Sequence, residues 1–163
     1  MESDTPVAAA TNVEAPRGMY PARLDDKGRL KLPATFQQFF NSLGERKLFV
    51  TSVNRRIAQI YPMAVWKENE KFFESYTANP VAARNIAFNA NDLGAEAEMD
   101  AQGRILFNPE LRRELNLEGQ ELHLFAYKGR VEVLNEALYL EWKQDAMKSA
   151  AEDQDLLETA GLK

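Results

Sequence analysis

The chain has 163 residues, enough for one ordinary domain or for two small halves sharing a core. Hydrophobic residues make up 45% and charged residues 28%, the balance of a folded water-facing protein, and no apolar run approaches the ~18 residues that span a bilayer. Cysteine is absent, which excludes disulfides and thiolate metal sites, and a net charge of −5 argues at first sight against a polyanionic partner.

That charge is unevenly spread. Residues 1–16 carry Glu2, Asp4 and Glu14 with no base, for −3, and residues 136–163 carry seven acids against three bases, for −4. Set against the total of −5, residues 17–135 are therefore +2. Within residues 17–31, Arg17, Arg23, Lys27, Arg29 and Lys31 face only Asp25 and Asp26. Screening over ~8–10 Å confines each charge's influence, so a basic segment on an acidic chain can still bind phosphate.

The N-terminal stretch MESDTPVAAATNVEAP has no basic start, and its apolar run is too short for a signal peptide. It reads as a disordered extension, and a cytoplasmic location is the expectation. Next comes LDDKGRLKLP, which reads as a local hairpin: Arg23-Leu24-Asp25 enters, Asp26-Lys27-Gly28 turns, and Arg29-Leu30-Lys31-Leu32 leaves with period-two alternation. Gly28 supplies a positive φ, and Asp25 can accept hydrogen bonds from the amides of the turn. TFQQFFNSLG predicts a short helix ending at glycine, and KLFVTSVNRRIAQIYP predicts two strands. MAVWKENEKFFESYTAN predicts a helix with Val65, Phe72 and Tyr76 on its apolar face and Trp66 and Phe73 flanking it. Asn79-Pro80 reads as a cap followed by Pro at the first helical position.

The pattern then repeats. Asp100, Gly103, Arg104 and Ile105 match Asp25, Gly28, Arg29 and Leu30 at an offset of 75, and a proline, a short helix (ELRRELNLEG) and a strand pair (ELHLFAYKGRVEVLN) follow in the same order. Gln59-Ile60-Tyr61-Pro62 aligns with Glu132-Val133-Leu134-Asn135, and Trp66 aligns with Tyr139. A last helix from about Asn135, carrying Leu138, Trp142 and Met147, fades into an acidic tail. One unit of about sixty residues is marginal alone. Duplication therefore predicts an α+β, pseudo-symmetric barrel of two interlocked halves. Its expected core is Leu30, Leu32, Leu48, Val50, Ile60, Ile105, Phe107, Leu122, Leu124 and Val133.

Arg17-Gly18, LDDKGRLKLP, the IYP before Trp66, and DAQGRILFNPELR together resemble the MraZ family, a duplicated relative of the AbrB/SpoVT regulators, over about residues 17–143. The resemblance implies a duplicated swapped-hairpin AbrB-like β-barrel with flanking helices, and subunits joined in a ring. It implies a nucleoid-associated, non-enzymatic regulator that binds double-stranded DNA by its motif loops. The sites implied are short direct repeats in the promoter of the bacterial cell-division and cell-wall gene cluster, which includes its own gene. Neither a cofactor nor a small-molecule substrate is expected, and no membrane. The expected parts are an extension at 1–16, AbrB-like halves at 17–66 and 95–143, connecting helices at 67–94, and a helix end with acidic tail at 144–163. Three features depart from the family pattern: the extension, the long acidic tail, and Leu134-Asn135 in place of Trp-Asp.

The residues expected to meet DNA are Arg29 above all, then Lys27, Arg17, Lys31 and Arg104. Asp25 and Asp100 are expected to orient the arginines, and Gly28 and Gly103 to shape the turns. Arginine's planar fork of five donors suits phosphate or a guanine edge, which lysine cannot mimic. The plain alternative is an exposed ion pair stiffening each loop, worth ~0–1 kcal/mol. Catalysis by Asp25 and Asp100 fits poorly, because paired acid/base carboxylates share a proton whereas each of these has an arginine to keep it ionised. His123, the sole histidine, sits mid-strand as a packing or surface imidazole. Phe72, Phe73, Trp66 and Tyr76 read as core rather than as a base-stacking platform. An antitoxin-like or scaffold protein is the competing reading, with the acidic C-terminal segment as its protein-binding tail.

Overall fold

The structure, a computed structural model, describes residues 14–163, so residues 1–13 of the expected extension lie outside the described residues. The elements in chain order are β1 (Tyr20–Ala22), β2 (Arg29–Lys31), α1 (Ala34–Asn41), β3 (Lys47–Thr51), β4 (Ala58–Pro62), α2 (Met63–Ser75) and α3 (Pro80–Leu93). They continue with β5 (Ala95–Glu98), β6 (Arg104–Leu106), α4 (Pro109–Glu114), β7 (Leu122–Tyr127), β8 (Arg130–Leu134), α5 (Glu136–Lys148) and α6 (Ala150–Ala160). The class is α+β, with antiparallel pairing throughout.

Six strands form one sheet in the order β1-β7-β8-β4-β3-β5, while β2 and β6 form a separate ribbon. Exchanging each strand for its counterpart in the other half reverses the order and leaves it otherwise unchanged. The outer strand of each half pairs with the other half, β1 with β7 and β5 with β3. The halves meet at β4 and β8, where Gln59 lies opposite Glu132. Those two polar residues are almost fully buried, and Gln59 Nε2 donates to Glu132 Oε2 at 3.3 Å. Arg130 Nε donates to the same carboxylate at 2.6 Å, so the buried charge has a cation partner.

The expected closed barrel is not what forms. Its would-be closing strands, β1 and β5, are the two free edges of an open sheet. Closure needs continuous hydrogen bonding between the end strands. β1 has three residues, one of them Pro21 without an N–H, and β5 alternates toward exposed Glu96 and Glu98, so both are poor edges for further pairing. The local hairpins also differ from expectation. Leu24 and Leu30 make only one bridge, and the ladder of β2 is with β6, 75 positions away. Leu32 N–H donates to Gly103 O and Phe107 N–H donates to Gly28 O, both at 2.9 Å, so the ribbon extends reciprocally at each end.

All ten expected core residues lie in one buried cluster, joined by Phe36, Phe39 and Phe40 of α1 and by Leu111, Leu115 and Leu117 of and after α4. Each such side chain contributes ~1.5–3 kcal/mol on burial, and neither half has enough of them alone. α2 is rotated from its expected face: Met63 and Trp66 are buried and Phe73 packs beside them, whereas Phe72 and Tyr76 are exposed. Two apolar stripes, Val65-Phe72-Tyr76 and Met63-Trp66-Phe73, overlap on this helix. Trp66 decides between them because it packs on Phe49 and Tyr61, with ring centroids 4.8 and 4.9 Å away. Side-chain caps hold the starts of α3 and α5, where Asn79 accepts from Ala82 N–H at 3.1 Å and Asn135 from Leu138 N–H at 2.8 Å. After α5 the chain does not fade out; α6 follows at once, with no buried residue.

Candidate nucleic-acid interface

Each motif folds into the same turn. The first residue's N–H donates to the arginine carbonyl, Asp25 to Arg29 at 2.8 Å and Asp100 to Arg104 at 2.9 Å. The glycine N–H returns to the aspartate carbonyl at 3.0 Å in both. Oδ1 of Asp25 accepts from the amides of Lys27 and Arg29, and Oδ1 of Asp100 from those of Gln102 and Arg104, all at 2.9 Å. Oδ2 then accepts the arginine Nε at 2.8 Å in each copy. Hydrogen bonding from the Arg29 amide, opposed in part by desolvation and reinforced by the guanidinium and the Lys27 amide, lowers the Asp25 pKa below the usual carboxylate value. The Arg104 amide and guanidinium lower Asp100 in the same way. Nε alone is engaged on each arginine, so the terminal nitrogens are without a hydrogen bond among the described residues.

The glycines have two reasons to be glycine. Gly28 and Gly103 sit at φ +82° and +78°, where a Cβ is strained. In addition, a side chain from the short helix after the other motif covers each one. A Cβ on Gly28 would collide with the Arg112 guanidinium, and one on Gly103 with the Gln37 side-chain amide. Gln37 and Arg112 are counterparts in the repeat, and each also donates to the carbonyl at the end of its own motif, Leu32 O at 2.7 Å and Phe107 O at 3.0 Å.

The register sets the outward face. Leu30 opposes Ile105 and both point into the core; Arg29 opposes Leu106, and Lys31 opposes Arg104. Alternation then places Arg29, Lys31, Arg104 and Leu106 on one side of the ribbon. Like charges directly opposite one another are unfavourable by a few tenths of a kcal/mol. An anion laid across Lys31 and Arg104 would relieve that. The two turns stand at opposite ends of this antiparallel ribbon rather than side by side. Lys27 is exposed at the tip of the first. Arg17 is outside the ribbon's register, and its guanidinium pairs with Glu14 at 2.9 Å.

Several other basic residues are internally engaged. Arg55 donates to Asn89, Asp92 and Glu114, each at 2.7 Å, and Arg56 pairs with Glu141 at 2.8 Å. These bonds tie the β3–β4 loop to α3, α4 and α5. Arg112 is tied to Glu118, and Arg113 to Glu110. Nothing local marks the Arg55-Arg56 pair as structural, because its acidic partners lie 37 or more residues away. His123 stacks on Tyr139 with centroids 3.7 Å apart and shares a 2.6 Å hydrogen bond with Glu136. Among the described residues no His, Asp or Glu cluster is arranged to hold a metal, and no helix is long and apolar enough to cross a membrane.

Fold and site define an α+β protein with antiparallel sheets in which the two motif strands pair and present basic residues, two of them braced by aspartates. No family model matches the chain. It is, however, 34% identical to the transcriptional regulator MraZ of Acidobacterium capsulatum over 147 residues, 90% of this chain and 99% of that protein. It is 31% identical to that of Koribacter versatilis over the same shares, and 32% identical to that of Desulfitobacterium hafniense over 83% of this chain and 93% of the relative. The chain belongs to the MraZ family of transcriptional regulators.

Proposed function

We propose that this regulator binds double-stranded DNA sequence-specifically through the outward face of the β2–β6 ribbon and its two turns. Its targets on this reading are short direct repeats in the promoter of the cell-division and cell-wall gene cluster, its own gene included. The carrying observation is the ribbon face, where Arg29, Lys31 and Arg104 stand together and two of the three are braced by aspartates. The major groove admits a two-stranded β-ribbon, and a guanidinium held by Nε keeps two terminal nitrogens for a guanine edge or a phosphate. Asp25 and Asp100 orient the arginines, Gly28 and Gly103 shape the turns, and Lys27 and Arg17 add charge at the margin. The strand exchange between halves supports reading the fold as a swapped-hairpin AbrB-like duplication, with halves at 17–66 and 95–143.

One ribbon touching about three phosphates gives weak binding and a salt slope of only about −3. Several copies joined in a ring, in the nucleoid, would engage successive repeats and gain ~10²–10⁴ in avidity where the spacing fits. The test is binding to the DNA upstream of the protein's own gene at two salt concentrations, with one repeat against three. Three repeats bind far more tightly on this reading, and Arg29→Ala loses specific binding while keeping its assembly state. Equal affinity for one and three repeats counts against the assembly, and unchanged binding by Arg29→Ala counts against the interface.

A second reading has one observation in its favour. α6 exposes Leu156 and Leu157 among Glu152, Asp153, Asp155 and Glu158. An antitoxin-like or scaffold protein would use such a tail to hold another protein. Deleting residues 148–163 separates the readings: loss of a protein partner with DNA binding intact favours this one.

A further inference from the structure

Four side chains point outward from the ribbon, and one of them is not a cation. Leu106 is 55% exposed although its neighbours Ile105 and Phe107 are fully buried. The register sets it directly opposite Arg29, and the repeat makes it the counterpart of Lys31. Opposed side chains on an antiparallel pair stand with Cβ atoms ~4.5–5.5 Å apart. One end of the ribbon therefore presents Lys31 beside Arg104, while the other presents Arg29 beside an isobutyl group. Phosphate alone calls for no apolar group at that place. Within the major groove, thymine is the base that offers one, its 5-methyl.

We infer that Leu106 contacts the 5-methyl group of a thymine while Arg29, fixed by Asp25, engages the DNA beside it. This inference rests on the ribbon being the DNA-binding face. It makes the two ends of a pseudo-two-fold ribbon chemically different, so the ribbon sits on its site in one orientation only. Burying one methyl against Leu106 strengthens binding about fourfold.

The experiment uses the full chain and the duplexes it selects from a random-sequence library. Each thymine of the best duplex is replaced in turn by deoxyuridine, which removes only the methyl group. The expected result is a loss of about fourfold at one thymine for the unaltered protein, and no further loss at that position for Leu106→Ala. Leu106 is exposed, so the variant folds; Leu106→Met, which keeps an apolar tip, retains sensitivity to that methyl. Leu106→Lys binds unselected duplex more tightly, with a steeper salt dependence, and loses the thymine preference. Equal deoxyuridine sensitivity in the unaltered protein and Leu106→Ala overturns the inference, as does insensitivity at every thymine. If a sequence is selected and Arg29→Ala loses it, the DNA-binding reading survives that failure. If no sequence is selected and Arg29→Ala binds like the unaltered protein, both fall.

Discussion

The two turns agree in their hydrogen-bond lengths to within 0.1 Å, yet several of the side chains around them differ. The first turn has Asp26-Lys27 at its tip and the second Ala101-Gln102; Lys31 of β2 has Leu106 as its counterpart. The first half's strand-to-helix aromatic pair is Phe49 on buried Trp66, whereas the second half's is His123 on half-buried Tyr139. β3 and β4 are joined by a six-residue loop clamped by Arg55 and Arg56, while β7 and β8 turn through Lys128-Gly129, both at positive φ. Geometry is kept where the ribbon is built, and chemistry diverges where side chains leave it. Two copies of one motif can thus share a backbone and still present different side chains.

Phe36 and Leu111 are counterparts on α1 and α4, both fully buried in the shared core. Phe36→Ala should cost ~3–5 kcal/mol and Leu111→Ala ~2–5 kcal/mol. In either variant a single thermal transition of the whole chain should move; two transitions, one of them unshifted, would show that the halves fold separately. Trp66→Ala should likewise cost ~3–5 kcal/mol by denaturant titration. Tyr139→Ala should cost nearer ~1 kcal/mol, since its stacking partner is lost but little core is opened.

On the ribbon, Arg29→Ala should lower affinity for the selected site by ~1–3 kcal/mol, and Arg29→Lys should fail to restore it if the fork geometry matters. Arg104→Ala should do less, because the tip of its turn, Ala101-Gln102, carries no cation; equal losses would show that the two turns contribute alike. Gly28→Ala should cost about 1–3 kcal/mol through the positive φ, with a further loss from displacing Arg112 from Phe107 O. Gly103→Ala displaces only Gln37 and should cost slightly less by the same melt. The smallest effect is with pH. Both aspartates have folded pKa values below their unfolded ones, so their stabilisation is complete above about pH 4 and is lost as pH falls through the lowered values. Asp25→Asn and Asp100→Asn should each flatten that acid limb, to similar extents.

Much of this was legible in the chain itself, because it is local. Asp, Gly and Arg at fixed spacing specify a turn whatever surrounds them, and alternation around Leu30, Ile105, Leu122 and Val133 specifies the faces that are buried. What could not be read was pairing at a distance. LKL and ILF look like the second arms of their own hairpins, and only the assembled sheet shows that they pair with each other instead. The open edge at β1, the coverage of Gly28 by Arg112, and the capture of Arg55 by Asp92 and Glu114 have the same origin. On α2, two apolar stripes fit one helix, and the choice fell to Trp66 through partners on β3 and β4. Leu106 was legible as an alternating strand residue, but its place opposite Arg29 was not.

The ribbon as the DNA-contacting surface is tested most directly by lysine footprinting. The protein is acetylated briefly, free and with saturating promoter duplex, and each lysine is read by mass spectrometry. Lys27 and Lys31 should become protected on binding, while Lys143, Lys148 and Lys163 near the C-terminus continue to react. Protection of the C-terminal lysines, with Lys27 and Lys31 as reactive as in the free protein, would contradict the account.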